Sequence, residues 1–107
     1  MRKIEKSMLV AIANKKAFKE RNTEVFHSLG LTVVSLYGHY IASLTENEVT
    51  VSSCGYKTNT TKSRLNAVLG KFGYGISCRS GRWYVGDKEF IDGMVIGFVK
   101  EESNGFA

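Results

Sequence analysis

The sequence predicts an α+β domain: an antiparallel sheet of about six strands with two helices packed on one face, in the order helix, four strands, helix, two or three strands. Three observations carry this. Apolar residues recur at helical spacing in two separate segments, one near the start and one after Asn59. Between and beyond them the period falls to two, in short runs rich in β-branched and aromatic residues. These runs follow one another across turns far too short for the crossover that a parallel pair requires.

The first helix spans about residues 3–15, where Ile4, Met8, Ala11 and Ile12 fall on one face with Leu9 beside them. Lys15 and Lys16 are expected in its last turn, where the helix dipole favours cations. From Thr23 the segments "TEVFHS", "LTVVSLY", "YIASLT" and "EVTVSSC" read as a four-stranded meander. Gly38-His39 suits a type II′ hairpin turn with glycine first, and Asn47 marks the next turn. In the second helix Leu65, Val68, Leu69 and Phe72 share a stripe, Thr60 or Thr61 caps the first amides, and Gly73 supplies the stop. "GISCRS" and "RWYVG" then form a hairpin around Ser80-Gly81, with Trp83 and Val85 inward and Arg82 and Tyr84 outward. The tail "GMVIGFV" is either a buried strand or a helix-free segment packed over the sheet.

A chain of 107 residues, 43% hydrophobic, with no proline, repeat or low-complexity tract, fits one domain over residues 1–107. No apolar run approaches the roughly 20 residues that span a bilayer, and Glu5, Lys6 and Asn14 interrupt the opening stretch as a signal peptide would not. The expected location is the cytoplasm, with no membrane partner. Cys54 and Cys78 are expected as buried free thiols, since a secreted domain of this size carries a denser disulfide framework.

Charge is unevenly distributed. Residues 1–21 hold seven bases against two acids, and residues 55–82 hold Lys57, Lys62, Arg64, Lys71, Arg79 and Arg82 with no acid. The stretches 22–54 and 83–107 are each net acidic. If the basic blocks meet in space they form one positive face suited to a polyanion. The stretch "YKTNTTKSRLNAVLGKFGYG" is the strongest candidate: Lys62 and Asn66 flank the apolar stripe on one side, Arg64 and Lys71 on the other, and a capped helix start with free amides and Lys62 within a turn favours an anion. Tyr56 before Lys57, and Arg82 before Trp83 and Tyr84, interleave rings with bases as single-strand binders do.

His27, His39 and the two cysteines match no compact zinc spacing, and there is no carboxylate pair, phosphate-cradling glycine motif or nucleophile turn. No catalytic, cofactor-binding or metal-binding residue is therefore assigned.

Around "TNTTKSRLNAVL" the chain resembles a widespread group of small proteins of tailed bacteriophages, and the resemblance extends through "KIEKSMLVAIANKKAF", "NTEVFH", "VVSLYGHYIASL" and "WYVGDKEFIDGM". It implies a phage protein made inside a bacterial host. It brings no activity, so no site residue is carried over. The chain departs from the group at Cys54-Gly55-Tyr56 and in its longer tail "VIGFVKEESNGFA". The expected function is a non-enzymatic accessory protein that binds nucleic acid through Tyr56, Lys57, Lys62, Arg64, Lys71, Arg79, Arg82 and Tyr84. The alternative is a module that docks on a host enzyme and inhibits or redirects it. The oligomeric state is left open.

Overall fold

The structure is a computed structural model that describes residues 1–97. It contains helix α1 (Lys3–Asn14), strands β1 (Phe18–Glu20), β2 (Thr23–Ser28), β3 (Leu31–Leu36), β4 (His39–Leu44) and β5 (Glu48–Val51), helix α2 (Asn59–Gly70), and strands β6 (Ile76–Arg79), β7 (Arg82–Val85), β8 (Lys88–Glu89) and β9 (Met94–Gly97). The class is α+β, with an antiparallel six-stranded sheet ordered β1-β2-β3-β4-β5-β9.

The hairpin β6–β7 does not join that sheet as expected. With β8 it forms a separate three-stranded sheet, and the outer places of the large sheet go to β1 and β9. The reason lies in what each segment can bury. Ile76, Trp83 and Val85 are buried in the common core, with Phe90 against Trp83 at 5.4 Å between ring centroids. The backbone amide of Ile76 is held by the Asn66 side chain of α2, 2.6 Å away, so this hairpin is anchored to the helix. β9 makes residues 94–97 a strand, but an outer one with only Ile96 buried rather than a buried strand, because its place at the sheet edge leaves the others wholly or partly uncovered; the remainder of "VIGFVKEESNGFA" lies outside the described residues.

In the large sheet Val25, Val34, Ala42, Val51 and Met94 are register neighbours, forming one row across five strands. This row shares a cluster with Met8 and Ile12 of α1 and Leu65, Val68 and Leu69 of α2. One residue along, Phe26, Val33, Ser43, Thr50 and Val95 make the row of the opposite face. Val95 is 53% exposed there, and Tyr40 and Leu31 are also exposed. The shortest extent of the molecule is 23 Å, which accommodates a sheet and one helical layer about 10 Å apart.

Both helix ends differ from the sequence reading in detail. α1 stops at Asn14, and Lys15 adopts a left-handed conformation (φ 56°) that lets the amide of Lys16 reach the carbonyl of Ala11 at 2.9 Å. Lys15 and Lys16 therefore lie beyond the last turn. The cap of α2 is Thr58 rather than Thr60 or Thr61: its extended backbone aims Oγ1 at the amide of Thr61, 3.1 Å away. Thr61 is instead buried, its hydroxyl bonded to that of Thr58. Gly73 does close the helix region, with its amide on the carbonyl of Gly70 and that of Tyr74 on Leu69.

The β3–β4 turn sits one residue earlier than expected. Leu36 pairs with His39, so Tyr37 and Gly38 are the central residues, with φ of 53° and 80°, the signature of type I′ rather than II′. The same geometry closes β2–β3 at Leu29-Gly30 and β6–β7 at Ser80-Gly81. Both cysteines are free, but neither is buried: Cys54 is half-buried and Cys78 exposed, because only the first residue of β6 reaches the core.

Candidate nucleic-acid interface

The two helices are held together by a buried ion pair. Arg64, 3% exposed, donates from Nη1 to Glu5 Oε2 at 2.8 Å, from Nε to Thr23 Oγ1 at 2.9 Å and from Nη2 to Asn22 Oδ1 at 3.3 Å. The hydroxyl of Ser63 donates to the same Glu5 oxygen, and the Arg2 amide donates to Glu5 Oε1 at 3.2 Å. Burial alone would push the Glu5 carboxyl up. Hydrogen bonds from Ser63, Arg64 and the Arg2 backbone, with the charge of Arg64, outweigh it and hold the carboxyl below its ordinary value. Arg64 is thus removed from the expected phosphate-contacting set: its guanidinium is spent inside the fold.

That network decides the charge of the helical layer. Glu5 is the only acid on either helix, and it is buried and paired. Among the other ionic residues on or flanking the helices, Arg2, Lys3, Lys6, Lys15, Lys16, Lys57 and Lys71 are exposed and Lys62 is half-buried. The blocks 1–21 and 55–82 meet along the helix pair. Arg2 and Lys62 line one hollow of about 450 Å³ with Asn59 and Ser63, at the starts of both helices. Lys15 and Lys71 line another of about 700 Å³, at the ends of both helices and beside the β2–β3 turn. Lys19 and Arg21 do not join this surface; they border a hollow with Glu24 and Ser35 on the other side of the sheet.

The small sheet contributes a second group. Trp83 and Val85 are buried while Arg82 is exposed and Tyr84 half-buried, as alternation predicts. On the outer side Arg79 lies over the ring of Tyr84, 4.1 Å from its centroid, so one face of that ring already holds a cation. Arg82 makes only a loose 3.7 Å pair with Glu89, and both are well exposed, which leaves its charge largely available. Lys57 places its ammonium 5.9 Å from the centroid of Trp83.

Tyr56 belongs to neither group. It is exposed, and its ring rests on His39 with centroids 4.9 Å apart. The loop that carries it is fixed: Asp92 Oδ1 accepts from both the amide and the hydroxyl of Ser53 at 2.8 Å, and the Tyr56 amide donates to the Ser53 carbonyl at 2.9 Å. Sequence reasoning missed His39 and Tyr37 as neighbours of Tyr56. They lie in the β3–β4 hairpin, far along the chain, and no local spacing links them.

His27, considered for metal binding, is occupied within the fold. Its Nε2 faces the carbonyl of Lys16 and its Nδ1 the hydroxyl of Thr32, both at 2.9 Å.

Among the described residues no helix is long and apolar enough to cross a membrane. No curated protein and no solved structure matches the chain. A family model described as Kyanoviridae Gp96 protein matches residues 1–101, which takes in both helices and all nine strands of the described residues, and on that match the chain belongs to this family of bacteriophage proteins.

Proposed function

We propose that this phage protein is a non-enzymatic accessory protein that works in the cytoplasm of the bacterial host and binds nucleic acid. The contacting surface is the helical layer with the outer side of the small sheet: Lys57, Lys62, Lys71, Arg79 and Arg82 of the expected set, joined by Arg2, Lys3 and Lys6 from the first block. One observation carries this reading. Among the described residues the one acid on α1 and α2 is withdrawn into the core against Arg64, so the helices themselves present exposed cations and no exposed carboxylate of their own. Such a surface gains affinity by displacing counterions from a phosphate backbone. Anisotropy of a labelled oligonucleotide, titrated at several salt concentrations, tests it. Affinity falls steeply with salt, by several units of log–log slope; a flat response, or no binding at low salt, removes the proposal.

A second reading, docking on a host enzyme, is favoured by the opposite face of the sheet, where Leu31, Tyr40 and Val95 are exposed. Capture of one host protein that survives nuclease treatment and is lost in Tyr40→Lys would support it. Capture that disappears with nuclease returns the argument to nucleic acid.

A further inference from the structure

Next to the start of α2 lies a hollow of about 270 Å³, distinct from the basic groups described above. Its floor is apolar and buried, formed by Leu36 and Ile41. Its rim carries three ring-bearing residues, Tyr37, His39 and Tyr56, all exposed. Thr58 and Thr61 line the side toward the helix. The volume lies just below the usual range of about 300–1,000 Å³ for ligand sites, which leaves room for no more than one planar ring system. Ser53, Thr58 and Thr61 spend their hydroxyls within the fold. Among the described residues the phenol groups of Tyr37 and Tyr56 and the ring nitrogens of His39 have no hydrogen-bond partner, so the polar tips at the mouth are uncommitted. Lys57 stands in sequence between two lining residues, Tyr56 and Thr58, but its ammonium lies 5.9 Å from the ring centroid of Trp83, which is not part of the lining, so the opening itself carries no cation of its own.

We propose that this hollow receives one unpaired nucleobase, which makes the protein a binder of single strands in preference to duplex. The inference rests on the nucleic-acid reading above and gives it a substrate class. An aromatic rim stacks on a base whatever its identity, and an apolar floor excludes water beneath it. A paired base inside a duplex cannot enter, because its faces are already stacked.

Two measurements on the full chain test this separately from the basic face. The first is an NMR titration with thymidine and adenosine 5′-monophosphates. Amide shifts concentrated at residues 37, 39, 56, 58 and 61, abolished by Tyr56→Ala and restored by Tyr56→Phe, support the pocket. No shift there at about 10 mM nucleotide overturns it, whether or not a polymer binds. The second compares an intact oligonucleotide with an abasic one of equal charge. The intact strand binds about tenfold more tightly, and Tyr56→Ala erases the difference without changing the salt slope. Equal affinities overturn the pocket while leaving the basic face intact. Shifts at the pocket without salt-dependent polymer binding overturn the basic face while leaving the pocket intact.

Discussion

Removing either member of the Glu5–Arg64 pair leaves the other as an unpaired ion in the core. Arg64→Met should therefore cost about 3–5 kcal/mol in urea unfolding, whereas Glu5→Met combined with Arg64→Met recovers more than half of that loss. Recovery of nothing would mean that the bonds from Arg64 to Thr23 and Asn22, rather than the ion pair, carry the energy. The pair also sets a pH response. The carboxyl of Glu5 is held below its ordinary value in the folded state, so its contribution is fully present above the ordinary glutamate range and is lost as pH falls through the lowered folded value. Acid unfolding monitored by circular dichroism should begin below about pH 4, and this component should vanish in the Glu5→Met and Arg64→Met double variant. Arg64 was legible as a base on the flank of an apolar stripe. That it turns inward was foreshadowed by two spacings: Thr61, Arg64, Leu65 and Val68 keep helical intervals, as do Glu5, Met8 and Ile12, so each buried stripe contains one ion of opposite sign. Neither spacing alone says that the two stripes face each other; only the tertiary fold does.

Among the elements, the tight hairpins show where conformational energy is stored. Leu29 and Tyr37 both occupy the first central position of type I′ turns, with φ near 50°, where a side chain other than asparagine or glycine costs roughly 1 kcal/mol. Leu29 is fully exposed, so nothing it touches offsets the cost. Leu29→Asn should raise stability by about 0.5–1 kcal/mol and the melting temperature by a few degrees. Tyr37→Asn should stabilise to the same extent but weaken the nucleotide response, because its ring lines the hollow; a melting temperature that falls in both variants would refute the strain argument. The meander from Thr23 was readable because alternation and turn residues coincide there. β1 was not, since three residues with one apolar side chain show no period. Nor could local pattern assign β6–β7 to a separate sheet: a strand's partners depend on which helix holds it, and here Asn66 of α2 does.

Across the whole molecule, charge follows the layers. The helical side is cationic, while Glu24 and Glu48 lie on β2 and at the start of β5; of the acids in the meander only Glu46 comes near the helices, where it lines the hollow at their ends with Lys15 and Lys71. Binding should therefore respond to position rather than to net charge. Lys6→Ala, Lys62→Ala and Arg82→Ala should each lower the salt slope by about 0.7–0.9, whereas Lys19→Gln, which changes net charge equally, should leave it unaltered. Equal effects from all four would mean that attraction is diffuse and no interface exists. The sequence placed two basic blocks and posed the question of their meeting, which a linear reading cannot answer because 1–21 and 55–82 are separated by the meander.

The strand order has a consequence for how the chain is made. β5 takes its second neighbour from β9, which emerges from the ribosome only after α2 and the entire small sheet. Until then Val49 and Val51 sit on a bare strand whose backbone is ready to recruit any other extended chain. Synthesis inside a crowded infected cell would therefore make the interval before Met94 appears the period when newly made copies are most prone to stick to one another.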